Sequence, residues 1–438
     1  MYIRSKFIFR FVLCVFIYGE NLKTNLEQVY INVIGVSIMT SFYKVLSSRE
    51  TVFFKRQELL EDVQLLIAAA INPDKVEWNK EVSGFLEKTS LYFRGDIHGN
   101  LLDCVRDLYG LRLIDKDGHW LGGNKKMVFL GDYVHEGANS KEVVVYLRAL
   151  KKEAQSSGGD VELKIGNHDL AHIQNRPEHR SLFKGQRASD EDDAHFTEEE
   201  VDELKEMFRT GVLNGEFEGS GYYEVGGHKL FASHGGLADV ARDKLFEDEG
   251  FFVRTESDRS GDVSSILINN KLLRDVSKYN STHEYDQVGR RTLSDDSFYQ
   301  PDVLRGGDEE YGGPYWCSLE RLALNKESDV IQIVAHTPTY GSAKLVDESG
   351  KKARSENTHI LYDKKRGIIL CDTHTSAHSI LGVGRDGELK EINSGRFGYM
   401  HGSKMVEDVQ ARCWGLLSLT EVDFYAKKPS WTEGCVIQ

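Results

Sequence analysis

The chain has 438 residues, 40% apolar, 10% aromatic and 28% charged, a balance that fits one large or two average soluble domains and excludes fibrous, disordered and membrane-spanning classes. The 69 Asp and Glu outnumber the 55 Lys and Arg, leaving a net charge of -14, which excludes a general surface for phosphate backbones and makes nucleic acid an unexpected partner. Six cysteines without CxxC spacing exclude a disulfide scaffold or zinc ribbon and point to a reducing cytoplasm.

Arg4, Lys6 and Arg10 surround an apolar stretch over 7–18, which has the charged and apolar parts of a secretory signal. Arg10 interrupts it and no clear small-residue cleavage site follows, so translation from Met39 is the plainer expectation, leaving 1–38 outside the mature protein. In 50–88, Leu59, Leu60, Val63, Leu66 and Ile67 fall at helical spacing and Pro73 ends the run, predicting a packing helix within an N-terminal extension, 1–88.

From Leu91 onward, short apolar runs end in polar, Gly-containing turns. The predicted strands are 91–93, 127–130, 161–165, 230–232, 330–335 and 368–370, an α/β arrangement whose sites gather at the carboxyl ends of the strands. Two stretches interrupt it. Residues 176–220 carry Thr197-Glu198-Glu199-Glu200 ahead of Val201, Leu204 and Phe208, the signature of a helical insertion. Residues 251–315, rich in Gly, Ser and Asp, read as a long loop or lid. The catalytic domain is expected over 89–385, with 386–438 a C-terminal segment.

The strand ends carry the chemistry. They read Gly95-Asp96-Ile97-His98-Gly99-Asn100, Gly131-Asp132-Tyr133-Val134, Gly166-Asn167-His168-Asp169, His234-Gly235-Gly236 and Ala335-His336-Thr337. Asp and His two apart in a Gly-flanked turn can face one ion, because Gly lets the backbone turn tightly. An Asp on the next strand can bridge two ions, and Asn with two later His residues can complete the second. Any one pair is ordinary turn chemistry; five in order, each after an apolar strand, describe a two-metal hydrolase.

These motifs resemble those of the calcineurin-like metallophosphoesterases, and within them the phosphoprotein phosphatase superfamily, whose pattern is GDxHG, GDxVDRG, GNHE, HGG and a late (A/G)H. This chain reads GDIHG, GDYVHEG, GNHD, HGG and AHT over roughly 91–381, closer to bacterial-type members. The resemblance implies two packed β-sheets flanked by helices and two divalent metal ions, manganese expected, with iron and zinc also suited to the donors. By position, Asp96 and His98 would hold the first ion, Asp132 would bridge, and Asn167, His234 and His336 would hold the second. His168 would be the general acid that protonates the leaving oxygen while water acidified by the cations attacks phosphorus in line. No cysteine begins a Cys-x5-Arg phosphate loop, in keeping with hydrolysis lacking a covalent intermediate.

Departures matter as much. Where the family has the Asp that orients the catalytic His and the Arg that clamps phosphate, this chain has His135 and Glu136. A second Arg that follows Trp in many bacterial-type relatives is absent after Trp316, where Cys317-Ser318 stand. Three readings stay open: phosphate is held by other cations, with Arg305, Arg321, Arg290 and Arg291 the candidates; the site takes a differently shaped phosphoester such as phosphotyrosine; or the protein is a degenerate phosphatase used for binding. The substrate expected is a phosphoprotein, carrying phosphotyrosine or phosphoserine/threonine, with a nucleotide or dinucleoside polyphosphate the alternative. Asp169 is a further residue for the site's surroundings, and His374 after the 368–370 strand is a weaker one. His172, His179 and His195 are expected to face solvent. The tail Cys435-Val436-Ile437-Gln438 fits C-a-a-X, predicting lipidation at Cys435 and peripheral membrane association, to which one chain and two nearby lysines contribute only marginally. In a bacterial source this pair of features would suggest an effector acting in a host cytosol.

Overall fold

The computed structural model describes residues 63–64, 66–67, 71, 76–137, 139–174, 198–250, 261–280, 297–305, 312–339, 344–347, 349–354, 359–373, 379–393, 400–401, 404–405 and 412–426, all within the unit Asp62–Gln438. The first half runs β1 (Val76–Trp78), α1 (Lys80–Lys88), β2 (Thr89–Arg94), α2 (Leu101–Gly110), β3 (Lys126–Phe129), α3 (Ser140–Ser156), β4 (Asp160–Lys164), α4 (Asn167–Gln174), α5 (Glu198–Leu213), β5 (Phe217–Glu218), β6 (Ser220–Val225) and β7 (His228–Ser233). There follow α6 (Asp239–Asp248), α7 (Gly261–Asn280), α8 (Leu319–Leu322), β8 (Val330–Val334), β9 (Lys344–Val346), β10 (Lys352–Arg354), β11 (Leu361–Asp363), β12 (Ile368–Leu370) and β13 (Ser379–Gly384). The chain closes with β14 (Leu389–Asn393), β15 (Met400–His401), β16 (Lys404–Met405), β17 (Arg412–Leu417) and β18 (Thr420–Glu421).

Two large sheets carry the fold. One has eight strands in the order β1-β17-β14-β13-β2-β3-β4-β5, the other six in the order β18-β11-β12-β8-β7-β6. The strands β2, β3, β4 and β5 run parallel, as do β7, β8 and β12, so their carboxyl ends open at the same edge of each sheet. Between the sheets lies an apolar layer of alternate residues, Leu91 and Phe93 of β2, Val128 of β3, Leu230 and Ala232 of β7, Ile331 and Ile333 of β8, and Leu381 and Val383 of β13. Strands buried on both faces read as near-continuous apolar runs, which is why the sequence displays them. Each fully buried Leu, Ile or Phe there contributes about 1.5–3 kcal/mol.

Helices cover the outer face of the larger sheet. Asn79 caps α1, its side chain accepting from the Val82 N–H at 2.8 Å, and α1 buries Val82, Phe85 and Leu86. Helix α3 buries Val143, Val144, Leu147, Leu150 and Ala154, spaced for one apolar stripe.

Several expectations change. The 50–88 region, so far as it is described, contains strand β1 as well as helix, and β1 pairs in parallel with β17. The expected lid over 251–315 holds a 20-residue helix, α7. Ile268, Leu272 and Val276 recur every four residues and are buried, while Asn269 accepts from the Gly219 and Ser220 N–H groups at 2.8 and 3.0 Å. The Gly, Ser and Asp of its flanks hid that stripe. In the 176–220 insertion, α5 buries Leu204, Phe208 and Val212, and the chain re-enters the sheets at β5 and β6. The boundary expected at 385 falls inside a sheet, since β14 pairs with β13 and β17 with β14.

Candidate active site

The strand-to-loop turns after β2, β3, β4, β7 and β8 bring Asp96, His98, Asp132, Asn167, His234 and His336 together. Two groups of donor atoms converge, Asp96, His98 and Asp132 in one, Asp132, His234 and His336 in the other, each with its ligand atoms within 4.8 Å of one another. They share Asp132. Close backbone approach explains the glycines: a Cβ on Gly131 would strike the Gly166 backbone, and one on Gly166 would strike Asp132.

The imidazoles are aimed from behind. His234 Nδ1–H donates to the Leu130 carbonyl at 2.9 Å and His98 Nδ1–H to the Val134 carbonyl at 3.3 Å, leaving both Nε2 atoms on the carboxylate side. His98 Nε2 stands 3.6 Å from Asp96 Oδ2, and His234 Nε2 stands 3.3 Å from Asp132 Oδ2. Asn167 Oδ1 meets His234 Nε2 at 2.7 Å and His336 Nδ1 at 2.9 Å. Asp169 clamps the turns together, accepting from the Asp132, Tyr133 and Gly166 N–H groups at 2.8–3.0 Å. Of six non-glycine residues with positive φ among those described, five are here: His98, Asp132, His135, Glu136 and His336. Such strain persists where surrounding structure over-determines it.

The electrostatics favour positive charge at this point. Burial works against a charged His234, yet Asp132 and Asp96 push its pKa up to about 9; burial likewise opposes a charged His98, and Asp96, Glu136 and Asp132 hold it well above the usual imidazole range. Burial opposes ionisation of Asp132, but His234, His168 and His98 keep it well below the carboxylate range. His336, depressed by burial and by Arg305, keeps Nε2 buried with no hydrogen-bond partner among the described residues. Carboxylates, neutral donors and an orphaned imidazole nitrogen around one point fit divalent cations.

His168 lies beside the cluster at the start of α4. Its backbone N–H donates to Asp132 Oδ1 at 2.9 Å, and its Nε2 stands 3.9 Å from Asp132 Oδ2. On its other side Nδ1 meets His135 Nδ1 at 2.5 Å, and His135 Nε2 meets His172 Nε2 at 3.1 Å. His172 was expected to face solvent; it is buried between α4 and α5, with its ring 6.0 Å from that of Phe208. The available signal was its place four residues after His168, on the same helical face. Burial lowers the pKa of all three: His168 below the usual imidazole range against the pull of Asp132, His135 well below it with His168 and His172 adding to the effect, and His172 to about 3.

Glu136 is exposed at the rim. Of the cations suggested by the sequence, Arg305 reaches the site: its Nη2 donates to Thr337 Oγ1 and, at 3.4 Å, to the His336 carbonyl. Arg321 does not fit that role, because it lies within α8 and is 1% exposed. Arg290, Arg291, His179, His195, His374 and Cys435 lie outside the described residues.

No protein-family model matches the chain. It is 33% identical over 81 residues to Shewanella-like protein phosphatase 2 of Arabidopsis thaliana, and 35% identical over 78 residues to the zinc-dependent endopolyphosphatase of Saccharomyces cerevisiae; each match takes 18% of this chain and 20% of the relative. The chain thus spans about a fifth of the length of these curated relatives. Among solved structures, the cold-active protein-tyrosine phosphatase of a psychrophilic Shewanella species superposes with a TM-score of 0.41 at 15% identity, over 74% of this chain and 80% of that one. The five ordered motifs and the pair of sheets that carries them resemble those of the calcineurin-like metallophosphoesterases of the phosphoprotein phosphatase type, and the matched segments are similar to relatives named as phosphatases.

Proposed function

We propose that the protein is a metal-dependent phosphomonoesterase acting on phosphoproteins. The observation that carries the reading is the convergence of two donor groups on a shared Asp132, with His168 Nε2 beside it. Asp96, His98, Asp132, Asn167, His234 and His336 would hold two divalent cations, manganese or zinc among those the donors suit, which when bound polarise phosphoryl oxygens and acidify water. The chain's own groups do the rest. His168, as imidazolium, gives the Nε2 proton to the leaving oxygen and is left neutral with its proton on Nδ1. Arg305, held by Thr337 and the His336 carbonyl, supplies a cation for a non-bridging phosphate oxygen in place of the arginine that Glu136 replaces. A protein substrate is supported by the relative named as a protein phosphatase; the relative named as an endopolyphosphatase supports a second reading, a condensed phosphate chain.

The test is phosphate release from matched phosphotyrosine and phosphoserine/threonine peptides, polyphosphate and nucleotides, with manganese or zinc, beside Asp132→Asn and His168→Ala. Peptide turnover abolished by both variants is the expected result. Turnover confined to polyphosphate or nucleotides sinks the protein-phosphatase reading, and metal binding without any turnover sinks the enzyme reading.

A further inference from the structure

We propose that His135 is a positioning residue for His168, backed by His172: the three imidazoles form a hydrogen-bonded file that orients the His168 ring and confines its fixed proton to Nδ1, leaving Nε2 as the nitrogen that exchanges a proton with substrate. The proposal rests on the phosphomonoesterase reading and deepens it.

The geometry leaves little freedom. His135 uses both nitrogens, Nδ1 toward His168 Nδ1 at 2.5 Å and Nε2 toward His172 Nε2 at 3.1 Å. A neutral imidazole has one N–H and one bare nitrogen, so each contact needs one donor and one acceptor, and the donor sense must run the same way along the file. An imidazolium at His168 has N–H on both nitrogens, which admits one sense: His168 Nδ1–H donates to bare His135 Nδ1, and His135 Nε2–H donates to bare His172 Nε2. His172 then keeps its proton on Nδ1. When His168 passes its Nε2 proton to the leaving oxygen, no other proton in the file moves. Burial keeps His135 and His172 neutral, so the acceptor behind His168 carries no charge. A carboxylate there would orient the ring equally but would stabilise the imidazolium and weaken it as an acid. His135 is itself fixed: its backbone N–H donates to Ser140 Oγ at 3.1 Å, and its φ is 74°.

Three variants and two readouts test this. Asn tolerates positive φ, and its Oδ1 falls near the place of an imidazole Nδ1, so His135→Asn keeps an acceptor for His168; His135→Ala removes it; His172→Gln keeps a polar partner for His135. On zinc-loaded protein, the first readout is kcat and KM over a series of aryl phosphates of rising leaving-group pKa. The second is the tautomer of His168 by nitrogen-15 NMR of histidine-labelled protein. The expected result for His135→Ala is a kcat loss of about 10- to 100-fold on the poorest leaving group, little loss on p-nitrophenyl phosphate, unchanged KM, and a His168 no longer held to the Nδ1–H form. His135→Asn restores the wild-type leaving-group dependence and tautomer, and His172→Gln falls between His135→Ala and wild type in both readouts. Equal losses on good and poor leaving groups, or an Asn variant as impaired as Ala, would overturn the proposal. A wild type that hydrolyses no aryl phosphate sinks the phosphatase reading instead. The NMR readout then decides the file alone, a His168 tautomer unmoved by His135→Ala overturning it and a displaced one upholding it.

Discussion

His98, His234 and His336 stand among carboxylates and an amide, His135 and His172 stand among imidazoles, and His168 stands between the two sets, with Asp132 on one side and His135 on the other. Burial presses all six imidazoles toward neutrality. Where Asp96 and Asp132 face the ring, as at His98 and His234, the carboxylates outweigh burial; where another imidazole faces it, burial prevails. His336 lies on the first side by position and behaves like the second, because burial, with Arg305 and His234 adding to it, outweighs Asp132. The charge of a buried histidine is therefore a balance between burial and the charges that face it, and a chain can place a carboxylate-rich donor cluster and a file of imidazoles within one hydrogen bond of each other.

Asp132→Asn should have the largest effect, since it removes the carboxylate that both donor groups share: metal measured by elemental analysis falls and phosphatase activity is lost with it. If Asp132→Asn keeps its full metal content, the two groups are not one centre. His168→Ala should lower kcat by about 10²–10⁴-fold while metal content stays at the wild-type value, separating the two sets of histidines by function.

A pH experiment sharpens the contrast further. In the unfolded chain His172 takes a proton below its ordinary value of 6.5, while in the folded protein it resists until about 3. Its contribution to stability is therefore complete above pH 6.5 and is lost as pH falls toward 3, by about 1.4 kcal/mol per pH unit. Denaturant titrations of metal-stripped wild type and His172→Gln at pH 6.5 and 5 should show the shallower pH dependence in the variant; parallel curves would mean His172 is not held neutral. The smallest effect expected is for Arg305→Gln, a rise in KM of about tenfold with kcat little changed, the loss of one charge-assisted contact. An unchanged KM would remove Arg305 from the substrate's surroundings.

The parts legible in sequence are those written in local patterns. The 368–370 strand matches β12 residue for residue, and the other five predicted strands agree to within two residues at each end, because each is an apolar run closed by a Gly-polar turn. The six residues that the structure brings together, Asp96, His98, Asp132, Asn167, His234 and His336, were readable for the same reason, standing at those strand ends. What could not be read depends on distant packing. Helix α7 carries its apolar residues four apart inside a polar segment. The short strands β14 and β17 are strands because β13 and β1 lie beside them. His172 is buried because α5 covers α4, and Arg321 looked like a surface cation until the fold enclosed it.

The left-handed backbone at His98, Asp132, His135, Glu136 and His336 also bears on how such a protein decays. Each non-glycine residue held there costs about 1–3 kcal/mol, and five together rival the whole net stability of an ordinary domain. A duplicated copy freed from selection for the chemistry would gain stability by drifting to glycine or asparagine at these five places, so inactive descendants should be recognisable by firmer folds and emptied strand-end turns.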